Sequence, residues 1–434
     1  MSTPTQTQSS RAPSARKANL NFIFLTLLLD VLGFSLLIPV APKLVAEVQG
    51  LPIRGSESET SLEYGLLVAT YAAMQFFFAP VLGSLSDRFG RRPVILISLL
   101  GSGLDYIAAA LAPNLTVLFI TRAINGISGA NITACSAYIA DVTPPERRAA
   151  GFGIVGAAFG IGFVIGPLAG SYLAEFGLRV PFMVAAGLTL ANWLYGLLVL
   201  PESLPKEHRR PFSWSRANAF GSLAWLSTHR LVATLAASVF LLNLSQFALH
   251  ATWVLAMGLR FQWSNTDVGW SLFIVGLSAA IVQGGLARRI IPALGERACL
   301  LGGLVIGVLA YIGYGAASQG WMIYAIIAAA SIGAVAGPAM QGVMSKSIPP
   351  TEQGMLQGSL ASLACVSQVL GYLMGTGVFR LFTHHDAAVK VPGANFYASA
   401  AVCAMALVPV LVAWRRLPRT VREAGDEPAQ VPER

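Results

Sequence analysis

The sequence predicts an all-α integral membrane protein whose chain crosses the bilayer 12 times, six times on each side of one polar linker. The composition is 55% hydrophobic and only 11% charged, with a mean hydropathy of +0.64, and such a chain cannot cover the surface of a soluble protein. Apolar stretches long enough to span a bilayer recur along the chain, and a single charged connection divides them equally. These observations together predict two bundles of transmembrane helices.

A helix needs about 20 mostly apolar residues to cross the hydrocarbon core. The first six stretches of this length lie at 20–46, 63–86, 93–112, 115–140, 150–175 and 181–200. The second six lie at 231–258, 267–290, 299–318, 321–347, 354–382 and 395–414. The predicted organisation is a disordered cytoplasmic tail at 1–18, an N-terminal six-helix bundle at 19–200, a cytoplasmic linker at 201–230, a C-terminal six-helix bundle at 231–415 and a cytoplasmic tail at 416–434.

The positions of the basic residues predict the orientation of the chain. When the connections are assigned alternately to the two sides, most of the 29 Lys and Arg residues fall on the side of the N-terminal tail. Six basic residues fall on the other side, and Arg122 lies within a span. The six are Lys43, Arg54, Arg179, Arg260, Arg380 and Lys390. Because Lys and Arg concentrate in cytoplasmic loops, both termini are expected in the cytoplasm. The protein itself is expected in the inner membrane of the cell. The +9 net charge therefore reflects topology and gives no reason to expect nucleic-acid binding.

Several kinds of chemistry are excluded by inspection. The chain has no G-x-x-x-x-G-K-[ST] loop, no H-E-x-x-H and no G-x-S-x-G, so we expect no enzyme activity, no ATP hydrolysis and no cofactor. Any transport must be secondary. The four cysteines lack metal-ligand spacing and are expected in the core: Cys135, Cys299, Cys365 and Cys403. A loop near the last span contains His384, His385 and Asp386, for which an ordinary polar loop is favoured over a metal site.

Four ionisable residues fall inside predicted spans, where each costs free energy and tends to mark a pathway or a pair. They are Asp30, Asp105, Arg122 and His250. Asp30 lies about ten residues into the first span, which at 1.5 Å per residue is roughly 15 Å, the middle of a hydrocarbon core about 30 Å thick. A carboxylate at this depth is placed to take up a proton.

Asp105 and Arg122 are expected to lie close together. The third and fourth spans form a hairpin with its tip near Pro113, and the two residues lie eight and nine residues from that tip. One interpretation is a static ion pair that holds two helices together, and the other is a titratable pair facing a polar cavity. Arg122, Asn125 and Gly129 share one helical face, which favours the cavity.

Two glycine-containing patterns accompany these charges. In the fifth span, G-x8-G-x3-G-P-x2-G permits close approach of a neighbouring backbone, and its members are Gly153, Gly162, Gly166, Pro167 and Gly170. The turn after the second span, GSLSDRFGRR, presents one acid and three arginines on the same side of the membrane as Asp141, which ends the fourth span. One interpretation is simple anchoring by positive charge, but the glycines and the embedded acid are more than anchoring needs: Gly83, Asp87, Arg88, Gly90, Arg91 and Arg92. Its arginines are expected to pair with Asp141. We expect Asp87 to face the N-terminus of the eleventh span, which follows Thr351.

The seventh span carries a polar stripe at helical spacing. Asn243, Gln246, His250 and Trp253 follow i, i+3, i+7, i+10. These polar groups and the indole suit an aromatic ligand and predict that the face lines a substrate cavity. The alternative is a satisfied histidine at a helix contact.

At this point the chain resembles a family. The G-x-x-x-D-R-x-G-R-R motif, Arg122 within LFITRAING and the glycine-proline pattern are similar to the drug/proton antiporters of the major facilitator superfamily. Six longer segments resemble the tetracycline/proton antiporters in particular: LLLDVLG, YAAMQFFFAP, SDRFGRRPV, SGLDY, GPAMQGVMS and EQGMLQGSLASL. The resemblance implies two pseudo-symmetric six-helix bundles, a central cavity and rocking between inward-open and outward-open states. It also implies that Asp30, Asp105 and Arg122 couple protons and that Gln75 lines the drug site. The basic turn after the second span, at Asp87, Arg88 and Arg91, is by the same resemblance a cytoplasmic gate.

The chain departs from that family at two positions of the second half. Gly307 stands where the exporters carry an aspartate in the ninth span, and Ala279 where some carry a histidine in the eighth. Loss of these polar groups predicts poor export of metal-chelated tetracyclines, which carry positive charge. The expected function is proton-driven export of small apolar or aromatic compounds by a monomer in the bilayer. A nutrient importer on the same fold and a non-transporting receptor are the alternatives.

Overall fold

A computed structural model describes residues 20–129, 131–143, 148–214, 218–349 and 352–416. Across these ranges the chain is helical and forms no strand, in agreement with the all-α prediction. Helices satisfy every backbone hydrogen bond within one segment, which is the requirement for crossing hydrocarbon. The predicted disordered tails, apart from Arg416, lie outside the described residues.

The half of the chain before the linker contains eight helices. They are α1 (Leu20–Leu37), α2 (Ala41–Val48), α3 (Ser61–Phe89), α4 (Arg91–Ala110), α5 (Leu115–Ser128), α6 (Asn131–Val142), α7 (Arg148–Leu173) and α8 (Val180–Val199). The predicted fourth span appears as α5 and α6 in succession. Gly90, with a φ of 105°, separates α3 from α4, and only glycine adopts this conformation without strain.

The remaining helices include one in the linker. They are α9 (Ala219–Thr228), α10 (Arg230–Phe261), α11 (Asn265–Ile281), α12 (Ala287–Ala316), α13 (Gly320–Ala330), α14 (Ala336–Lys346), α15 (Gln353–Thr383), α16 (Ala394–Met405) and α17 (Leu407–Arg416). A π-helical segment at Val282–Leu286 joins α11 to α12, and a 3-10 segment at Ser331–Val335 joins α13 to α14. Such irregular turns within spans occur often at functional sites.

The number of spans is close to the predicted 12. Among the described residues, ten helices are long and apolar enough to cross a membrane, or eleven when α1 and α2, which meet at a bend of 52°, are taken as one span. One of the ten is the 52-residue stretch Asn265–Ala316. It is interrupted at Gly295, which has a non-helical φ of 79° and ψ of 157°. The predicted eighth and ninth spans both fall in this stretch, and the count of 12 stays a prediction.

The two halves meet at the end of the molecule opposite the linker, which we call the far end. Nζ of Lys43 donates a hydrogen bond to Oδ1 of Asn265, across the two halves. Thr383 Oγ1 donates to Ser58 Oγ at 2.9 Å. Gly65 on α3 lies directly against Thr376 on α15. These polar contacts and the close helix approach hold the far end closed.

Towards the end that carries the linker, here called the linker end, the halves separate. Gly276 on α11 still packs against Val164 on α7. Nearer the linker end, exposed glycines of the two halves have no other segment of the described chain within 4 Å of a Cβ position: Gly156, Gly160, Gly284, Gly285, Gly354 and Gly358. The glycines that pack across the two halves, Gly65, Gly269 and Gly276, thus contact the other half, whereas these glycines nearer the linker end make no such contact.

The linker helix α9 contacts both halves. Phe220 packs against Phe76 on α3 with ring centroids 5.4 Å apart. At the other end of the helix, His229 Nε2 lies 3.2 Å from Glu352 Oε2, beside the start of α15. The linker therefore bridges the two halves along one side of the opening.

The glycine-proline pattern brings α7 against α1. Cβ positions at Gly162, Gly166 and Gly170 would collide with Val31, Ser35 and Leu36 respectively. This close approach agrees with the interpretation of the glycines as a packing surface. α7 continues as a helix through Pro167. Gly153 lies in the first turns of α7, where the surroundings of the side chains are outside the described residues.

Gly170→Ala is expected to destabilise the protein by roughly 1–3 kcal/mol. The added methyl group would lie 2.7 Å from the carbonyl carbon of Leu36, and a backbone cannot turn aside as a side chain can. Gly187→Ala is the matched control, because nothing lies within 4 Å of its Cβ position. The measurement is the thermal unfolding midpoint of each purified variant, and equal midpoints would contradict the packing interpretation.

Candidate functional site

The predicted ion pair of the first half is formed and buried. Arg122 Nη2 lies 3.1 Å from Asp105 Oδ2, and the side chain of Asp105 is fully excluded from solvent. Asn125 Nδ2 donates to the same oxygen at 2.7 Å. Among the described residues, Oδ1 of Asp105 has no hydrogen-bond partner. Oδ2 of Asp105 thus accepts both hydrogen bonds. Oδ1 remains available to take up a proton, or to accept a hydrogen bond in another conformation of the protein.

Asn125 does not line the cavity in this structure, so that part of the prediction is wrong for the state seen here. Its amide is 4% exposed and is committed to Asp105. The physical reason is that a buried carboxylate needs hydrogen-bond donors, and the donor one turn from Arg122 is the nearest available.

Tyr106 follows Asp105 in the chain and brings α4 against α1, the helix that carries Asp30. The Tyr106 hydroxyl lies 3.2 Å from the Cβ position of Gly33, one turn along α1 from Asp30. The coupling role of Asp30, Asp105 and Arg122 stays a prediction. Tyr106 was not among the predicted site residues, because a tyrosine within an apolar span resembles an ordinary core aromatic residue.

Gln75 lies one turn from Tyr71 on α3. Its Nε2 atom is 3.5 Å from the hydroxyl of Tyr71 and 3.4 Å from the carbonyl oxygen of Gly129. The ring of Phe34 stacks on Tyr71 with centroids 5.6 Å apart. Gln75 is partly exposed, so its amide is available to a ligand between the halves.

The basic turn forms a network centred on Arg91. Its guanidinium contacts Asp87 Oδ1 at 2.6 Å, Asp141 Oδ2 at 3.0 Å and Ser86 Oγ at 2.7 Å. The pairing with Asp141 agrees with the sequence prediction. Glu202, which that prediction missed, accepts the backbone N–H of Arg91 at 2.9 Å.

The other members of the turn make smaller contacts. Arg92 donates to the carbonyl of Leu197, and Arg88 lies over the ring of Phe89. Gly83 packs against Thr133. The carboxylate of Asp87 is paired with Arg91 rather than with the eleventh span, because a cation four residues away is within immediate reach. Thr351, at the proposed contact with that span, lies outside the described residues.

The polar stripe on α10 divides into two environments. Gln246 and His250 are exposed, Asn243 is partly exposed, and the Gln246 and His250 side chains contact each other at 2.9 Å. Trp253 is 4% exposed, and its indole N–H donates to Ser271 Oγ at 3.0 Å.

Trp253 is therefore a core residue of the second half, and its assignment to the cavity is wrong. Its ring packs edge-on against Tyr314 and Phe396, with centroids 5.2 and 6.3 Å away. A large ring with one donor is well satisfied by an apolar socket that supplies one hydroxyl. Helical spacing alone could not show that such a socket was present.

The remaining candidate groups are the four cysteines, the loop that contains two histidines, and Gly307. Cys135, Cys299 and Cys403 are buried, Cys365 is partly exposed, and all four are free. The side chains of His384, His385 and Asp386 bring three possible ligand atoms within 4.8 Å of one another. The preference for a polar loop over a metal site there stays a prediction. Gly307 has room beside it, since its Cβ position lies 3.5 Å from Sγ of Cys403.

Comparison with known proteins relates this arrangement to transporters. A sequence model of the Major Facilitator Superfamily matches residues 23–372 and 235–433. The chain is 39% identical over 354 residues to the class C tetracycline resistance protein of Escherichia coli, covering 82% of this chain and 88% of that protein. It is 32% identical to the class H tetracycline resistance protein of Pasteurella multocida, covering 87% and 93%.

A solved structure supports the same fold. The human organic anion transporter MFSD10 (TETRAN) superposes with a TM-score of 0.68 and 27% identity, covering 92% of this chain and all of that one. The agreement extends over both halves of the chain and agrees with the family resemblance read from the motifs.

Arg91→Gln is expected to destabilise the protein by roughly 1–3 kcal/mol, because two neighbouring carboxylates lose the cation between them. Arg88→Gln, in the same turn, is the control, since its guanidinium lies over Phe89. Thermal unfolding midpoints of the two purified variants provide the measurement. A midpoint for Arg91→Gln equal to that of Arg88→Gln would show that the network contributes nothing to stability.

Proposed function

Because the chain belongs to the major facilitator superfamily, we propose that it is a proton-coupled exporter of small apolar or aromatic compounds, including drugs, and works by alternating access. It is a multi-pass membrane protein that acts on small-molecule substrates. The observation that carries the proposal is the buried Asp105–Arg122 pair, which joins two of the membrane-spanning helices of the first half. A charge pair is costly in hydrocarbon, and transporters keep such pairs where a proton or ligand must be exchanged.

The chemistry follows from what a proton does to the pair. With Asp105 ionised, its Oδ2 atom holds both Arg122 and Asn125. Protonation removes the charge that holds the guanidinium, so Arg122 is released towards other acceptors. A proton arriving at Asp105 thereby changes the contact between α4 and α5 within the first half.

The orientation of the protein completes the proposal. The linker end is cytoplasmic, by the distribution of basic residues, and the membrane is the bacterial inner membrane, as expected for relatives of tetracycline resistance proteins. The end of the molecule at which the exposed glycines make no contact between the halves then faces the cytoplasm, where an exporter collects its substrate. The turn around Arg91 and Asp141 acts as the cytoplasmic gate. The protein is a transporter rather than an enzyme, functions as a monomer and uses the proton gradient instead of a cofactor.

The names of the relatives point to drug-like substrates. The bacterial relatives are named for resistance to tetracycline, and the human one is described as an organic anion transporter. Gly307 and Ala279 leave the second half without the acid and the histidine of the tetracycline exporters. We therefore propose that aromatic compounds free of metal are exported better than metal-chelated tetracycline.

Asp30→Asn and Asp105→Asn are expected to reduce gradient-driven export at least about tenfold, which corresponds to roughly 1.4 kcal/mol of lost coupling. Substrate exchange without a gradient should persist, because that reaction needs no proton transfer. The measurement is substrate uptake into everted vesicles with an imposed proton gradient, with Glu207→Gln in the linker as control. Wild-type uptake by both variants would refute the assignment, and gradient-driven loss of substrate from the vesicles would identify an importer.

Gly307→Asp is expected to raise tolerance of tetracycline severalfold above that of the unmodified chain. A Cβ atom at Gly307 meets only Sγ of Cys403, at an ordinary contact distance of 3.5 Å, and an acid in the second half would compensate the charge of the chelate. Gly307→Asn adds the same volume without the charge and should have no effect. Growth of a host that lacks its own exporters measures the difference. High tolerance from the unmodified chain, with no gain from the aspartate, would show that the departure from the family has no consequence for substrate choice.

A further inference from the structure

The turn that follows α15 brings three metal-binding side chains together. α15 ends at Thr383, and the backbone N–H of Ala387 then donates to the carbonyl oxygen of His384 at 3.0 Å, which closes a tight turn. His384, His385 and Asp386 occupy this turn, and each directs one ligand atom into a space in which all three atoms lie within 4.8 Å of one another. Adjacent side chains of a regular helix point in different directions, so only the turn explains why these three converge.

The separations between the ligand atoms suit a transition metal. Oδ2 of Asp386 lies 3.0 Å from Nε2 of His385 and 3.6 Å from Nδ1 of His384. Two ligand atoms bound at about 2.0–2.1 Å in tetrahedral geometry are about 3.4 Å apart, which falls between these two distances. The two imidazole rings lie side by side, with centroids 4.0 Å apart. Nδ1 of His384 also accepts the backbone N–H of Asp386 at a long 3.4 Å, and a metal ion would replace this weak contact.

The surroundings of the turn favour a positive ion. The turn lies at the C-terminus of the 31-residue helix α15, where the last carbonyl groups carry a partial negative charge. Arg380, in the last turn of that helix, has its guanidinium 3.9 Å from Oε1 of Glu63 in the first half, so its charge is already paired. His385 and Asp386 are exposed, and water can therefore complete the coordination of an ion held by the three side chains.

We propose that this turn binds a divalent transition metal ion such as Zn²⁺ or Cu²⁺. The ligands are Nδ1 of His384, Nε2 of His385 and a carboxylate oxygen of Asp386. Two imidazoles and one carboxylate are a donor set for zinc or copper, whereas Mg²⁺ and Ca²⁺ take oxygen ligands. The proposal goes beyond the export function and replaces the preference for an ordinary polar loop that the sequence spacing favoured.

The position of the ligands determines what the ion does to the protein. The turn lies beside Thr383, which contacts Ser58 of the first half, but the three ligands all belong to one turn of the second half. Movement of the halves against each other therefore leaves the ligand set intact. An ion that binds both states equally shifts no equilibrium between them. The metal is accordingly expected to hold the loop after α15 without changing transport, and the site is tested by binding.

The first test is isothermal titration of Zn²⁺ into the purified full chain, carrying an affinity tag that contains no histidine. The unmodified chain should bind one ion. Loss of a residue that only supports a metal ligand weakens metal binding about 10- to 100-fold, and loss of a ligand should cost at least as much. His384→Gln, His385→Gln and Asp386→Asn should therefore each weaken binding at least about tenfold. His208→Gln is the matched control, because His208 is an exposed histidine of the linker.

The second test identifies the ligands directly. Electron paramagnetic resonance of bound Cu²⁺ should report two imidazole nitrogens in the unmodified chain and in His208→Gln, and one in either His384→Gln or His385→Gln. An excess of Mg²⁺ should displace none of the bound Zn²⁺. The proposal is overturned if the unmodified chain binds no Zn²⁺, or if the three variants of the turn bind it as tightly as the control. It is also overturned if the Cu²⁺ spectrum of both histidine variants keeps two nitrogens.

Discussion

The burial of Asp105 is the constraint on which the first half depends. A carboxylate whose side chain is fully excluded from solvent must be paired, and the partners come from α5, at Arg122 and Asn125. This requirement keeps α4 and α5 in register. It also sets the position of Tyr106, which follows Asp105 directly and whose hydroxyl lies against Gly33 on α1. Stability and chemistry are therefore difficult to separate at this point, because the same contact holds the helices and carries the exchangeable charge.

Close backbone contact complements this charge pairing. Gly162, Gly166 and Gly170 allow α7 to lie directly on α1, the helix that carries Asp30. At the far end, Gly65 performs the same role between α3 and α15. Ser35 on α1 also donates a hydrogen bond to the carbonyl oxygen of Gly162 on α7 at 2.9 Å. Within the first half and between the halves, close helix packing is thus combined with a few polar contacts.

The sequence was most informative where one physical rule acts alone. The cost of charge in hydrocarbon identified Asp105 and Arg122, and equal distance from the hairpin tip predicted their contact. Helical spacing gave the wrong environment for Trp253. The spacing shows which residues share a helix face, but it does not show that neighbouring helices bury one of them with Ser271 and aromatic rings. Nothing in the sequence singled out Tyr311, because a tyrosine within an apolar stretch resembles any core residue. Only the structure shows that its hydroxyl lies within hydrogen-bond distance of Oε1 of Gln246. Glu202 was missed because it is distant in sequence from the turn it joins.

The π-helical segment at Val282–Leu286 affects how the second half is compared with its relatives. A π turn holds one residue more than an α turn, so the helix beyond it is rotated by about 100° relative to a regular continuation. If regular α-helical spacing is assumed, some residues before and after the segment are assigned to the same helix face. With the extra residue of the π turn, their side chains point in different directions. A relative that lacks the extra residue would present other side chains to the opening from the same aligned positions. Differences in substrate range among such proteins can thus arise from one inserted or deleted residue, with every lining side chain chemically unchanged.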